Sequence, residues 1–245
     1  MCVLMGCGCL AQEVKASEGE FSRRNSWTIF AEYSNTSSHI LMGASRQREL
    51  ATVGGAYTRR IVRFGGSELG YQAEVRPVVF ESDPLQIEKV METVSEPPPV
   101  GTQTFTNTNT MATVERCRAS SGVLHTPPGD IVISGTYNIT CGRRWTFAQA
   151  FSPLGFKYSM RTRHPVQPFF AGTVGYMYSS RPIPVADAEA FNFVFDFGPG
   201  IEIYRSGKRS ISVECRFHHF SNRDTAEENP GVDNLMYKLS YSFGR

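Results

Sequence analysis

A two-residue alternation of apolar and polar side chains is the feature of this sequence that most constrains its fold. In residues 209–221, RSISVECRFHHFS, the side chains of Ile211, Val213, Cys215 and Phe217 share one face, and polar side chains alternate with them. Successive side chains of a β-strand point to opposite sides of a sheet, so this period predicts strands with one apolar and one polar face. The sequence therefore predicts an all-β protein.

The same alternation recurs eight times along the chain. We predict strands near residue 30 and over residues 48–61, 69–80, 144–160, 166–179, 191–204, 209–221 and 235–243. Several of these runs exceed the roughly 5–6 residues of a strand in a globular protein and match the roughly 9–11 residues of a tilted membrane strand. The connections alternate between long and short, as in membrane barrels. The prediction is an eight-stranded antiparallel transmembrane β-barrel with long outer loops.

The polar faces of these strands carry charges of both signs. They belong to Glu32, Glu74, Arg76, Asp196, Glu202, Glu214, Arg216 and Lys238. Side chains fill the interior of an eight-stranded barrel, so we interpret these residues as a paired polar lumen rather than the lining of a pore. The net charge of only +2 argues against a nucleic-acid partner.

Alternation alone also fits a soluble β-sandwich or a lipocalin-like barrel, whose apolar faces point inward. The 17 Phe and 10 Tyr residues and the C-terminal run that ends near Phe243 favour the membrane version. Each strand of a membrane barrel alternates apolar residues that face lipid with polar residues that face the lumen, so its average hydrophobicity is only moderate.

The N-terminal residues 1–11, MCVLMGCGCLA, form a short apolar stretch that ends in small residues. This stretch resembles the apolar region and cleavage site of a secretory signal peptide, although it lacks the usual positive start. We expect residues 1–11 to be a signal-peptide remnant and residues 12–245 to form one β-barrel domain with a long extracellular insertion near residues 81–143.

Three cysteines remain after such a cleavage, and an exported protein can hold a disulfide. Cys117 and Cys141 lie in the same connecting segment and are the expected pair, whereas Cys215 lies within a predicted strand. The spacing fits no zinc site, and we expect neither a metal nor a cofactor.

The insertion has two features of its own. Apolar residues at helical spacing predict a short helix over residues 84–95. The prolines of residues 96–99 and the run TQTFTNTNT over residues 102–110 predict an extended, polar and flexible loop.

The chemistry lies at the end of the seventh strand, where its apolar stripe gives way to His219 and Ser221. Their Cβ atoms are about 7 Å apart by strand rise, so a base and a nucleophile can meet. A third group must orient the base, and adjacent strands place Asp233 near His219. We predict a triad of Ser221, His219 and Asp233 at the outer rim of the membrane, and a hydrogen-bonding role in the lumen for His218.

These residues carry a resemblance to a known family. The motif His219-Phe220-Ser221-Asn222, followed by Asn229-Pro230-Gly231 and an acid before the last strand, resembles the PagL-type lipid A 3-O-deacylases, which are outer-membrane esterase barrels. The resemblance is strongest from Trp145 to Phe243. It departs from the family in the long insertion and in Asp233, where the family has Glu.

The resemblance implies a role for each matching residue. Ser221 would be the nucleophile, His219 the base and Asp233 the acid, while Asn222 and Asn229 would form the oxyanion site. The substrate would be the 3-O-linked acyl ester of lipid A. It also implies a bacterial outer-membrane location with the active site facing the outer leaflet, and lipopolysaccharide acyl chains and outer-membrane lipids as partners. A homodimer stays open, and the alternative function is a non-catalytic barrel with an adhesive or structural role.

Overall fold

The chain folds into ten strands in a computed structural model that describes residues 21–95, 101–125 and 132–245. The strands are β1 (Asn25–Ser34), β2 (Glu49–Phe64), β3 (Ser67–Ser95), β4 (Thr102–Ala112), β5 (Ser120–His125), β6 (Val132–Met160), β7 (Val166–Ser179), β8 (Phe191–Ser206), β9 (Arg209–Ser221) and β10 (Val232–Gly244). No helix in these three ranges is long and apolar enough to cross a membrane. The signal-peptide prediction for residues 1–11 lies outside the described residues.

Eight of these strands close into a ring. The order β3-β2-β1-β10-β9-β8-β7-β6 is completed by pairing of β3 with β6, and every neighbouring pair is antiparallel. The predicted eight-stranded antiparallel barrel is confirmed, and each predicted strand corresponds to one of these eight. We call the end of the barrel that carries the long connections its outer end.

The two faces of the barrel wall are opposite in character. Large apolar side chains cover the outside, and several, such as Trp27 and Leu239, are more than half exposed. Polar and charged side chains fill the inside, where Arg76, Glu74 and Arg216 are at most 2% exposed. A soluble barrel has the reverse distribution, so this surface is suited to lipid rather than to water.

Ion pairs occupy the middle of the lumen. The guanidinium of Arg76 donates hydrogen bonds to Glu32 at 3.0 Å, to Glu74 at 2.8 Å and to Asp196 at 3.0 Å. Glu74 also accepts a hydrogen bond from Arg216 at 2.9 Å. The remaining predicted lumen charges lie inside as well and have partners: Lys238 pairs with Glu32 and Glu74, Glu214 with Arg216, and Glu202 with Arg23 and Lys157. The predicted pairing of the lumen charges is confirmed.

An apolar layer closes the outer end of the lumen above these ions. It contains Leu50, Val79, Met177, Phe220 and Met236, all buried. Because each turns inward from a different strand, the layer joins the strands at the level where β9 ends and β10 begins. The wall that carries His219 and Asp233 is therefore supported from within.

The insertion differs from its prediction. Residues 84–95 form no helix but continue β3, which pairs there with β4 on one edge and β6 on the other. Strand pairing on both edges satisfies the backbone groups of a segment rich in β-branched residues, so the strand prevails over the helical spacing of its apolar residues. The run predicted as a flexible loop is β4, whose threonines also favour a strand.

A four-stranded sheet in the order β4-β3-β6-β5 thus projects from the barrel wall. The structure joins Cys117, between β4 and β5, to Cys141 of β6 in a disulfide. Cys215 of β9 is free. The Pro-rich residues 96–99 lie outside the described residues.

Replacing Arg76 with Met tests the contribution of the lumen ions. We expect Arg76→Met to lower the free energy of unfolding by about 3–5 kcal/mol, because it leaves buried carboxylates without their cation. Urea unfolding in detergent micelles measures the change, with Arg205→Gln on an exposed side chain as the control. Equal stability of the two variants would show that the ion network does not hold the barrel together.

Candidate active site

The end of β9 and the start of β10 bring His219 and Asp233 together. The two residues are direct partners in the antiparallel register and share the outward face of the wall. His219 Nδ1 lies 2.6 Å from Asp233 Oδ1, and both side chains are buried. This contact orients the imidazole and leaves its Nε2 for proton transfer.

A segment from the connection between β1 and β2 covers the acid. Asp233 Oδ2 accepts hydrogen bonds from the backbone N–H groups of Ile40 at 3.2 Å, Leu41 at 2.7 Å and Met42 at 2.9 Å. Three donors on one oxygen stabilise the negative charge of the carboxylate and fix its direction. We call residues 37–45 the acid-binding segment.

The acid-binding segment is itself tied to β10 and to the connection before it. Ser38 N–H donates to the carbonyl of Asp233 at 3.2 Å, and Ala44 N–H donates to the carbonyl of Pro230 at 2.6 Å. Ser45 N–H donates to the carbonyl of Gly231 at 3.1 Å. The segment is therefore a loop whose two ends, Ser37 and Ser45, both lie beside β10, which keeps its amides on Asp233.

Two glycines permit this close packing. A Cβ atom on Gly43 would lie 2.5 Å from the backbone nitrogen of Asp233. Gly231 has a φ of +54°, in the left-handed region that favours glycine, and a Cβ there would lie 3.1 Å from Cε1 of His219. The lack of a Cβ atom at these two positions lets the acid-binding segment, Asp233 and His219 pack closely together.

Ser221 lies two residues beyond His219 and is half-buried. Both side chains line one groove on the outside of the barrel, with a volume of about 340 Å³. Among the described contacts the two side chains have no direct hydrogen bond, and such bonds are often formed only when substrate is present. The structure thus brings the predicted nucleophile, base and acid to one place.

The groove is apolar along the barrel wall. Val174, Phe193 and Phe195 line it, and the ring of Phe195 lies 5.0 Å from the imidazole of His219. A second depression of about 510 Å³ shares Val174 and Phe195 and continues toward Phe156 and Phe197. An apolar path therefore leads from Ser221 along the outer surface of the wall.

The two predicted oxyanion residues organise the connection between β9 and β10. Asn222 donates its backbone N–H to Asn229 Oδ1 at 3.1 Å and its side-chain amide to the carbonyl of Glu228 at 2.8 Å. Asn229 Nδ2 donates to Asp224 Oδ1 at 2.9 Å. Of these two residues, only Asn229 lines the groove. Asn222 instead stabilises the shape of the connection through its hydrogen bonds.

His218 takes the position predicted for it in the lumen. Its Nδ1 lies 2.5 Å from Asp196 Oδ1, on the opposite side of the wall from His219. Within the described ranges no group of three or more His, Cys, Asp and Glu side chains is placed to hold a metal ion.

The backbone donors to Asp233 are the functional groups that sequence patterns missed. They come from Ile40, Leu41 and Met42, which lie far from Asp233 in the chain and carry no side-chain signal for this role.

Comparisons with known proteins bear on the family and the fold. A family model described as lipid A 3-O-deacylase (PagL) matches residues 126–242. The crystal structure of the outer membrane enzyme PagL is similar with a TM-score of 0.50 at 12% identity, covering 89% of this chain and 99% of that chain. No curated protein sequence matches the chain significantly.

More distant likenesses have TM-scores below 0.5. The outer membrane protein OprG from Pseudomonas aeruginosa gives 0.35 at 10% identity, covering 91% of this chain and 98% of that one. The beta domain of the Bordetella autotransporter BrkA gives 0.29 at 10% identity, covering 91% and 100%. The family match over residues 126–242 confirms the predicted resemblance to the PagL-type lipid A 3-O-deacylases, and the similar crystal structure confirms the barrel fold.

Proposed function

We propose that this protein is an outer-membrane serine esterase that removes the ester-linked 3-O acyl chain of lipid A. The observation that carries the proposal is the His219–Asp233 pair beside Ser221 at the mouth of an apolar groove. The family match to lipid A 3-O-deacylases over residues 126–242 supports the choice of substrate.

In the proposed reaction Ser221 Oγ attacks the carbonyl carbon of the acyl ester and transfers its proton to His219 Nε2. The tetrahedral intermediate collapses, and the departing sugar oxygen takes this proton. Water then attacks the acyl-enzyme, again by way of His219, and releases a fatty acid and the free serine. Asp233 stabilises the imidazolium in both halves of the reaction.

The intermediate carries a negative oxygen that needs donors. Asn229 lines the groove with Ser221, and its amide has a second N–H besides the one given to Asp224. We assign that N–H to the oxyanion. The backbone N–H of Asn222 holds the carbonyl of the Asn229 amide, so Asn222 positions this donor.

Substrate access follows from the placement of the groove on the outside of the wall. Acyl chains of the surrounding lipid can lie against Val174, Phe195 and Phe197 without leaving the membrane, because this surface is apolar and outward-facing. The exposed apolar side chains of Leu41 and Met42 extend this surface at the outer end. The active site therefore faces the outer leaflet in this proposal.

Replacing Ser221 with Ala tests the enzyme proposal. We expect Ser221→Ala to lower kcat by at least about 10³-fold and to leave the fold intact, because only the nucleophile is removed. Mass spectra of lipid A from cells that express each protein measure the reaction, with Ser206→Ala at the opposite end of the barrel as control. Unaltered lipid A in cells that express the parent would favour the non-catalytic barrel. Equal deacylation by the parent and by the Ser221→Ala protein would show that Ser221 is not the nucleophile.

Substitutions of Asp233 separate its charge from its length. Asp233→Asn should lower kcat by roughly 10²- to 10⁴-fold, because the amide no longer stabilises the imidazolium. Asp233→Glu should lower it by about tenfold, since three backbone amides and a fully buried site leave no room for another methylene. Kinetics on purified protein measure both, with Asp187→Asn on an exposed acid as control. Full activity of the Glu variant would contradict the described fit.

Gly43→Ala tests the acid-binding segment without changing any catalytic group. The new methyl would meet the backbone of Asp233, so the segment must move away and its amides must release the carboxylate. We expect a roughly tenfold lower kcat and faster hydrogen exchange at the amides of Leu41 and Met42. Gly66→Ala is the matched control, because nothing lies within 4 Å of its added Cβ. Unchanged exchange in Gly43→Ala would show that the amides of the segment do not depend on this glycine.

A further inference from the structure

A second concave site lies beside the active site, between the acid-binding segment and the connection from β4 to β5. Its volume is about 870 Å³. The side chains that matter for its chemistry are Ser38, His39, Arg46, Glu115, Arg116 and Arg118. We call it the arginine cleft.

The arginine cleft has an excess of positive charge. Arg46 pairs with Glu115 at 3.4 Å, and both side chains are more than half exposed. In the described part of the chain, Arg116 and Arg118 have no acidic partner, and both are exposed. Two guanidinium groups with free donors beside hydroxyl and imidazole groups suit an anion with several oxygens.

The cleft is held in shape by contacts from the insertion. The carbonyl of Val114 accepts hydrogen bonds from the backbone N–H of Arg46 and from Arg48 Nη1, both at 2.9 Å. The disulfide to Cys141 anchors Cys117, the residue between Arg116 and Arg118. The two arginines therefore project from a braced segment although they are exposed.

The cleft and the active site share one wall. Ser38 and His39 line the cleft, and His39 Nδ1 lies 2.8 Å from the carbonyl of Gly43. Residues Ile40 to Met42 lie between His39 and Gly43, and their backbone N–H groups donate hydrogen bonds to Asp233. Met42 also lines the groove that contains Ser221. An anion in the cleft would thus lie just beyond the segment that covers the catalytic acid.

We propose that the arginine cleft binds a phosphate group on the headgroup of the glycolipid substrate while its acyl chain occupies the apolar groove. This inference rests on the proposed function for the identity of the substrate. Phosphate is the anion that arginine pairs recognise well, through parallel N–H donors to its oxygens. The cleft then orients the headgroup so that one acyl ester lies at Ser221.

The experiment compares lipid A that carries its phosphates with the same lipid A after their removal. For the parent protein, removal of the phosphates should raise KM about tenfold, the effect of losing one good charge-assisted contact. In the double variant Arg116→Gln/Arg118→Gln, the ratio of the two KM values should fall to about one. The control Arg205→Gln/Arg209→Gln removes two exposed arginines elsewhere and should keep the parent ratio. An unchanged ratio in the cleft variant would overturn the proposal.

A binding measurement separates this inference from the enzyme proposal. Ser221→Ala protein in detergent micelles is titrated with each form of lipid A, and then with inorganic phosphate as competitor. Tighter binding of the phosphorylated form that requires Arg116 and Arg118 supports the cleft even if no protein deacylates lipid A. Equal binding of both forms would refute it. Displacement of the phosphorylated lipid A by inorganic phosphate that requires Arg116 and Arg118 would support a phosphate site in the cleft. Binding of inorganic phosphate without any preference for phosphorylated lipid A would show that the cleft takes free phosphate rather than a lipid headgroup, and would overturn the proposal.

Discussion

The ion network inside the barrel fixes which side chains of the strands that carry it point outward. Arg76, Arg216 and Lys238 come from three different strands and converge on Glu74. Side chains of a strand alternate between the two faces, so a slip of one residue in β9 would turn Arg216 toward lipid and His219 into the lumen. Such a slip would leave buried carboxylates without cations, at a cost of several kcal/mol. The register that pairs His219 with Asp233 is therefore secured by charges on the other side of the wall.

Two neighbouring histidines lie on opposite sides of the barrel wall and differ in their surroundings. His218 and His219 each contact a carboxylate at hydrogen-bonding distance, Asp196 in one case and Asp233 in the other. The first pair lies within the ion network of the lumen, next to Arg76, and both of its side chains are buried. The second lies on the outer face beside Ser221 and an apolar path. A His–carboxylate contact is thus not a catalytic signature by itself; the neighbouring nucleophile and the accessible groove distinguish the two.

Most of the barrel and the proximity of Ser221, His219 and Asp233 could be predicted from the sequence, because both depend on local alternation and on neighbouring strands. The charges from Glu32 to Lys238 were placed inside because one face of each strand carried them. The helix predicted over residues 84–95 was wrong, because the helical spacing of its apolar residues did not reveal that β4 and β6 would pair with both edges of the segment. The amides of Ile40, Leu41 and Met42 could not be predicted, since a backbone donor leaves no trace in the side-chain pattern.

The insertion connects the barrel strands to the acid-binding segment. Its long pairing with the barrel strands places Cys141 where it can anchor Cys117, and the carbonyl of Val114 receives donors from Arg46 and Arg48. Arg48 also lies in the outer end of the lumen, 3.3 Å from Asp83, where both are fully buried. The acid-binding segment precedes Arg46 directly and is therefore held on one side by β10 and on the other by the insertion. A segment held at both ends can keep three amides on a short aspartate side chain. In the proposed triad this would let Asp233 serve where the family that the chain resembles has the longer glutamate.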